Sequence, residues 1–325
     1  MKLVTFNAPE AVEHIGAILP GEGVVVDFTA EGGDARLRSM LDLIDAGPDG
    51  LRAAEAALAR RRHVRPIEGV TLLAPLPRPR RLRDFLCFEQ HFRQARANRH
   101  LFGIGSQPQD PALVEVPRVW YERPIYYKGN PFSVVGPEAD IHWPRYSTVI
   151  DYELEIGIVT ARRGKQIPRA EAAGYVFGYT IFNDFSARDA QLVEMQGGLG
   201  PAKGKDFDTG NAMGPWLVTA DEVPDPQALS MVTRVNGEEW SRGSSGAMHH
   251  GCLDIVSYAS DEETLYPGEI LGSGTVGSGC GLELGRFLKD GDVLEVEVGG
   301  LGLLRNRIVA PHVPQPPAFP IQLPI

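Results

Sequence analysis

From Val149 to Val159 the chain reads Val-Ile-Asp-Tyr-Glu-Leu-Glu-Ile-Gly-Ile-Val, with acids at alternate positions of an apolar run. The period is that of a β-strand, whose side chains alternate between faces. Asp151, Glu153 and Glu155 therefore share one face, and Tyr152, Leu154 and Ile156 the other. Three carboxylates on one face repel each other and retain protons unless a cation sits among them. The segment predicts either an exposed acidic strand or the wall of a metal site.

Two further segments bear on that choice. Ile181 to Gln191 passes from an apolar strand into a short helix. Ser186 is placed to cap that helix, with Asp189 three residues on, as in a capping box. The spacing of Asp184, Arg188 and Gln191 puts an acid, a cation and an amide on one side of the turn. Asp84 to His91 is the third segment, an acid leading through apolar residues to a histidine.

Around these segments the chain divides by texture. Leu3–Phe6, His14–Leu19 and Gly23–Phe28 read as strands. Leu37, Met40, Leu41 and Ile44 fall on one helical face, and a second helix is expected over Pro48–Arg62. Arg60, Arg61, Arg62 and Arg65 read as a solvated helix end. The proline-rich stretch Ala74–Pro79 marks a boundary. It separates a small N-terminal α+β domain, 1–76, from a mostly β domain, 77–325. The larger unit has strand candidates at Val134–Val135, Leu217–Val218, Met231–Val235, Ile270–Leu271 and Val293–Val298. From Pro311 a proline-rich tail reads as extended.

A net charge of −10, from 32 basic and 42 acidic residues, argues against nucleic acid or an anionic membrane as partner. No apolar run approaches the ~20 residues of a membrane helix. Met1 to Phe6 lacks the pattern of a secretory signal, so a cytoplasmic setting is expected. Cys87, Cys252 and Cys280 are three scattered residues and read as free thiols.

Together these segments resemble the fumarylacetoacetate hydrolase family over roughly residues 80 to 310. The resemblance rests on the acid–x–acid pair Glu153/Glu155 and the run Asn183 to Asp189. It also rests on Gly204-Lys205-Asp206-Phe207 and Gly272-Ser273-Gly274-Thr275. It implies a β-roll catalytic domain, usually dimeric, with metal ligands at Asp84, Glu153, Glu155 and Asp184. It implies a general base at His91 held by Glu283, with Lys205 as a further catalytic group. Tyr127, Arg188, Gln191 and Thr275 are the implied substrate contacts. Gln94 stands where one branch of the family has a glutamate, so the distant Glu283 takes that role. Arg93, Arg96 and Arg99 compete as the arginine downstream of the histidine.

Four carboxylates without paired His or Cys ligands make a hard oxygen site, suited to magnesium first and to manganese or calcium otherwise. The expected activity is metal-dependent hydrolysis of a carbon–carbon bond in a small dioxo acid resembling fumarylacetoacetate or an acylpyruvate. The alternative is a lyase or isomerase on the same scaffold: a decarboxylase, tautomerase or sugar-acid dehydratase. Gly272–Gly277 matches GxGxxG, but Ser278-Gly279-Cys280-Gly281 is a poor helix start, so a dinucleotide site is set aside. His249 and His250 are expected near the surface.

Overall fold

A computed structural model describes residues 1–8, 12–19, 21–105 and 109–310. The tail expected to be extended from Pro311 lies outside the described residues.

Two apolar segments form the middle of the molecule. Leu154–Thr160 pairs antiparallel with Val176–Asp184, in register Leu154↔Asn183 through Ile158↔Tyr179. Every residue of both strands is buried. Glu155, Asn183 and Asp184 are therefore exceptions in an interior that costs polar groups dearly unless they are satisfied.

The sheet extends on both sides of this pair. On one side lie Asn211–Thr219 and then Lys2–Asn7, Glu13–Leu19, Val24–Asp27 and Val64–Pro66. On the other lie Ile270–Gly272, Leu82–Phe85 and Tyr126–Gly129. A second sheet runs Glu238–Ser244, Ser230–Val235, Val293–Val298, Gly302–Val309, Asp140–His142. Apolar side chains of both sheets, among them Ile156, Ile181, Met231, Val296 and Leu304, share one core. The fold is mostly β with mixed sheets, as expected.

The first 76 residues add five strands to the large sheet, the four named above and Thr71–Leu72 beside Lys2–Asn7, joined to the rest by Lys2↔Val218 and Leu3↔Leu217. Helices Met40–Asp45 and Pro48–Arg60 pack there, with Leu43, Ile44, Ala54 and Ala57 in one cluster with Val159, Phe177 and Leu217. The basic helix end is solvated and paired: Arg60 with Glu31, Arg61 with Glu22, Arg65 with Asp27.

Two local expectations are corrected. The acidic segment is not one strand: Ile150–Asp151 pairs with Ser186–Ala187, and the main-sheet strand starts at Leu154. The Asp151 carboxylate accepts the Tyr152 N–H, and the Asn183 side chain accepts the Glu153 N–H. Those two donors are thereby withdrawn from any continuous ladder. Ser186 does not cap the following helix, which runs Arg188–Met195 from Ala187. Its hydroxyl donates to the Asp184 carbonyl instead. Asp189 accepts from the Ser147 and Thr148 hydroxyls and from the Thr148 N–H.

Candidate metal centre and adjoining base

The sheet brings three acids from three strands, and a fourth from the break beside them, to one point. Asp84 lies on Leu82–Phe85, and Glu155 and Asp184 lie on the central pair. Glu153 sits at the break before Leu154, in a lone bridge to Cys280. Asp84, Glu153, Glu155 and Asp184 each offer an oxygen within 4.8 Å of the others, and all four are buried. Gly272 makes room for this packing. A Cβ there would lie 2.3 Å from Asp84 Oδ1 and 2.8 Å from the Phe182 ring.

Hydrogen bonds fix half of these oxygens. Glu155 accepts from the Gly274 N–H and the Thr275 hydroxyl. Tyr127 donates to Asp184 Oδ2 at 2.5 Å. The Lys205 ammonium donates to Glu153 Oε2 and Asp184 Oδ2, each at 2.6 Å. Asp84 Oδ1 and Asp184 Oδ1 are buried with no donor at all.

The charges do not balance within the cluster. Burial, then the Asp184 charge, pushes the Asp84 carboxyl well above the usual carboxylate range. Burial, then Asp84, does the same to Glu155. Asp184 is raised by burial while Lys205 pulls it back. Burial also opposes ionisation of Glu153, but Lys205 and then Arg188 outweigh it and hold that carboxyl low. Arg188 is itself shared, donating from Nε to Asp151 at 2.7 Å while its NH2 lies 2.8 Å from Glu153. Asp84 and Glu155 thus lack a cation of their own. Two undonated carboxylate oxygens, an all-oxygen donor set and a deficit of positive charge fit a hard divalent cation.

A cleft of about 300 Å³ opens onto the cluster. Asp84, Glu153, Tyr127, Arg188, Gln191, Lys205, Thr275 and His91 all line it. Glu155, Asp184 and Glu283 stand behind that wall. Gln191 accepts from Arg188 at 2.8 Å, which fixes the pair expected to share one side of the turn.

His91 lies on helix Glu89–Ala97, with Nδ1 3.3 Å from Glu283 Oε1. The approach is off the axis of a hydrogen bond, so it is a close contact and not a bond. Glu283 is held by the N–H groups of Ser278 and Cys280.

Three features lay beyond the sequence reading. Asp151 faces Arg188 and the Gly281 and Leu282 N–H groups rather than the acidic cluster. Of the competing arginines, Arg93 pairs with Glu89, whereas Arg96 and Arg99 line the cleft. Burial lowers both Arg96 and Arg99, and neither makes an ion pair among the described residues. The apolar wall of Phe85, Leu86, Phe92, Ile125, Leu192 and Met195 comes from four separate segments, so no local pattern signals it. His249 and His250 pack against Trp120 away from this cleft. The glycine-rich segment after Gly272 opens no helix before the four-residue turn Gly281–Leu284, which removes the dinucleotide motif.

A family model described as fumarylacetoacetate (FAA) hydrolase, C-terminal, matches residues 81–309. The mitochondrial oxaloacetate tautomerase Fahd2a of Rattus norvegicus is 34% identical over 311 residues, covering 95% of this chain and 92% of the rat protein. A fumarylacetoacetate hydrolase from Exiguobacterium antarcticum superposes with a TM-score of 0.73 at 27% identity, covering 96% and 100% of the two chains. A maleylpyruvate hydrolase from Sphingobium sp. SYK-6, solved with manganese(II) and pyruvate, gives 0.71 at 22% identity, covering 95% and 99%. At that identity the likeness is one of fold.

Proposed function

We propose, for a chain that belongs to the fumarylacetoacetate hydrolase family, metal-dependent hydrolysis of a carbon–carbon bond in a small dioxo acid of the fumarylacetoacetate or acylpyruvate type. The observation that carries this reading is His91, set against Glu283 and lining the same cleft as Asp84 and Glu153.

Asp84, Glu153, Glu155 and Asp184 would hold the cation, which when bound would polarise a substrate carbonyl and offset charge developing on its oxygen. Magnesium suits the donor set best, with manganese or calcium as alternatives. His91 takes a proton from water, and the Glu283 carboxylate beside Nδ1 stabilises the resulting imidazolium. The same imidazolium returns a proton to the departing carbon. Lys205 keeps Glu153 and Asp184 together and adds positive charge to the cleft. Arg188, Gln191, Tyr127 and Thr275 are the polar contacts we assign to substrate. Arg96 and Arg99 make the same cleft favourable to an acid.

A second reading, keto–enol tautomerisation, is favoured by one observation: the tautomerase likeness extends over 95% of this chain. It needs the same acids and a base but no attacking water. Fumarylacetoacetate, acylpyruvates, oxaloacetate and dioxo sugar acids, scored by product, separate the two. Hydrolysis gives two smaller products including a new acid, whereas tautomerisation gives none.

We further propose a homodimer in the cytoplasm, with residues 1–76 as a supporting domain beside the catalytic unit 77–325. These rest on the sequence. No helix among the described residues is long and apolar enough to cross a membrane.

A further inference from the structure

Of the three thiols, Cys87 and Cys252 are packed into the main apolar core. Cys280 is also buried, in a smaller apolar cluster with Phe102, Leu192 and Leu282, but polar groups approach it. One ligand atom from each of His91, Cys280 and Glu283 lies within 4.8 Å of the others. His91 Nδ1 is buried and has no hydrogen-bond partner, in a residue only 7% exposed. Nitrogen, sulfur and oxygen donors therefore converge beside an imidazole atom that nothing satisfies.

The surrounding chain holds these donors in place. The Ser278 and Cys280 N–H groups donate to the two Glu283 oxygens, both at 3.0 Å. The Asn98 side chain donates to the carbonyls of Leu282 and Glu283, tying the turn to the element that follows the His91 helix. The bridge Glu153↔Cys280 fixes the sulfur-bearing residue against the acidic cluster. Bond lengths of about 2.3 Å to sulfur and about 2.0–2.2 Å to nitrogen and oxygen set ligand–ligand edges of roughly 3.3–3.8 Å in a tetrahedral zinc site. The present spacing, within 4.8 Å, is wider than those edges, so the side chains would draw together on binding.

We propose that His91, Cys280 and Glu283 form a second metal site, selective for a zinc-class cation, whose occupation shuts down the enzyme by engaging His91. Hardness sorts the two centres: magnesium prefers the all-oxygen cluster, whereas zinc takes imidazole and thiolate. On binding, the Cys280 S–H bond breaks, a sulfur–metal bond forms, and the proton leaves to solvent. No electron changes hands. Uptake therefore releases a proton. The cation enters past His91 and Leu282, both of which line the cleft. Water completes the fourth position.

The inhibition rests on His91 acting as the base; the metal site itself does not. The test titrates magnesium-loaded full-length protein with cobalt(II), a spectroscopic substitute for zinc. We expect one equivalent showing a thiolate-to-cobalt charge-transfer band in the near ultraviolet, which an all-oxygen site does not give. Cys280→Ser should abolish the band and weaken zinc inhibition by at least about 10–100-fold, the cost of losing even an outer partner of a metal ligand. Absence of the band in the unaltered chain overturns the proposal, whether or not Cys280→Ser folds. Zinc inhibition undiminished in a folded Cys280→Ser protein also overturns it, by placing the inhibitory zinc at the carboxylates. A thiolate band in a protein that proves not to be a hydrolase upholds the site and overturns only the role of His91 in activating water.

Discussion

His91 Nδ1 lies 3.3 Å from Glu283 Oε1, with the two side chains only 9% and 0% exposed. The pair joins a helix after the first site strand to a turn far along the chain, and the turn's own N–H groups hold the carboxylate. Removal of a general base costs about 10²–10⁴ in rate. His91→Ala should therefore lower kcat by that order. Its magnesium affinity, measured by calorimetry, should stay unchanged, because His91 is not among the four acids. Glu283→Gln should cost less, since it keeps the shape and removes only the charge.

Protons and metal compete at the acidic cluster. The carboxyls of Asp84 and Glu155 are raised by burial and neighbouring acids. A raised folded-state value favours the folded metal-free chain fully below about pH 4, the unfolded carboxylate value. That contribution is lost as pH rises through the folded values. Glu153 is held low and has the opposite sign, so it loses its contribution only at more acidic pH. Magnesium replaces the retained protons. The increase in Tm that magnesium produces should grow from about pH 5 to about pH 8. Calorimetry in buffers of different ionisation enthalpy should detect proton release. A Tm increment independent of pH would count against the assignment of these acids.

Chelation should abolish turnover, and magnesium or manganese should restore it. Glu153→Ala should remove metal binding. The helices Met40–Asp45 and Pro48–Arg60 should remain folded, because the cluster that holds them is apolar and includes none of the four acids. Full turnover in rigorously metal-free protein would exclude the cluster as the functional centre.

Gly272→Ala tests the packing around Asp84. The added methyl would meet Asp84 Oδ1 and the Phe182 ring well inside contact distance. Overpacking of this kind costs about 1–3 kcal/mol. Displacement of the ligand should also weaken metal binding by about 10–100-fold. Denaturant unfolding and metal titration of one sample would measure both.

Arg83 and Glu269 form a buried pair behind Asp84, 3.2 Å apart and 0% and 1% exposed. Removing one partner of such a pair strands a charge and costs about 3–5 kcal/mol. Arg83→Met should lose stability of that order in equilibrium denaturation. A loss below about 1 kcal/mol would mean that the pair is solvated or replaced.

Local patterns carried the first strands, the helices after Leu37 and the alternation around Glu153, because each is written in consecutive residues. The break at Tyr152–Glu153 was not legible, since it depends on Asn183, a residue 30 positions away that captures the Glu153 N–H. Ser186 looked like a cap because spacing cannot show that its hydroxyl turns back to Asp184. Resemblance gathered the four acids and His91 into one list. The Lys205 bridge between Glu153 and Asp184, and the approach of Cys280 to His91, depend on the sheet order.

Hydrolysis itself is tested most directly by turnover in water enriched in heavy oxygen, sampled before carbonyl exchange. The proposed chemistry places one heavy oxygen in the newly formed carboxylate, at a rate that falls with His91→Ala. Turnover that yields no labelled new carboxylate, or label at an unchanged rate in His91→Ala, would contradict it.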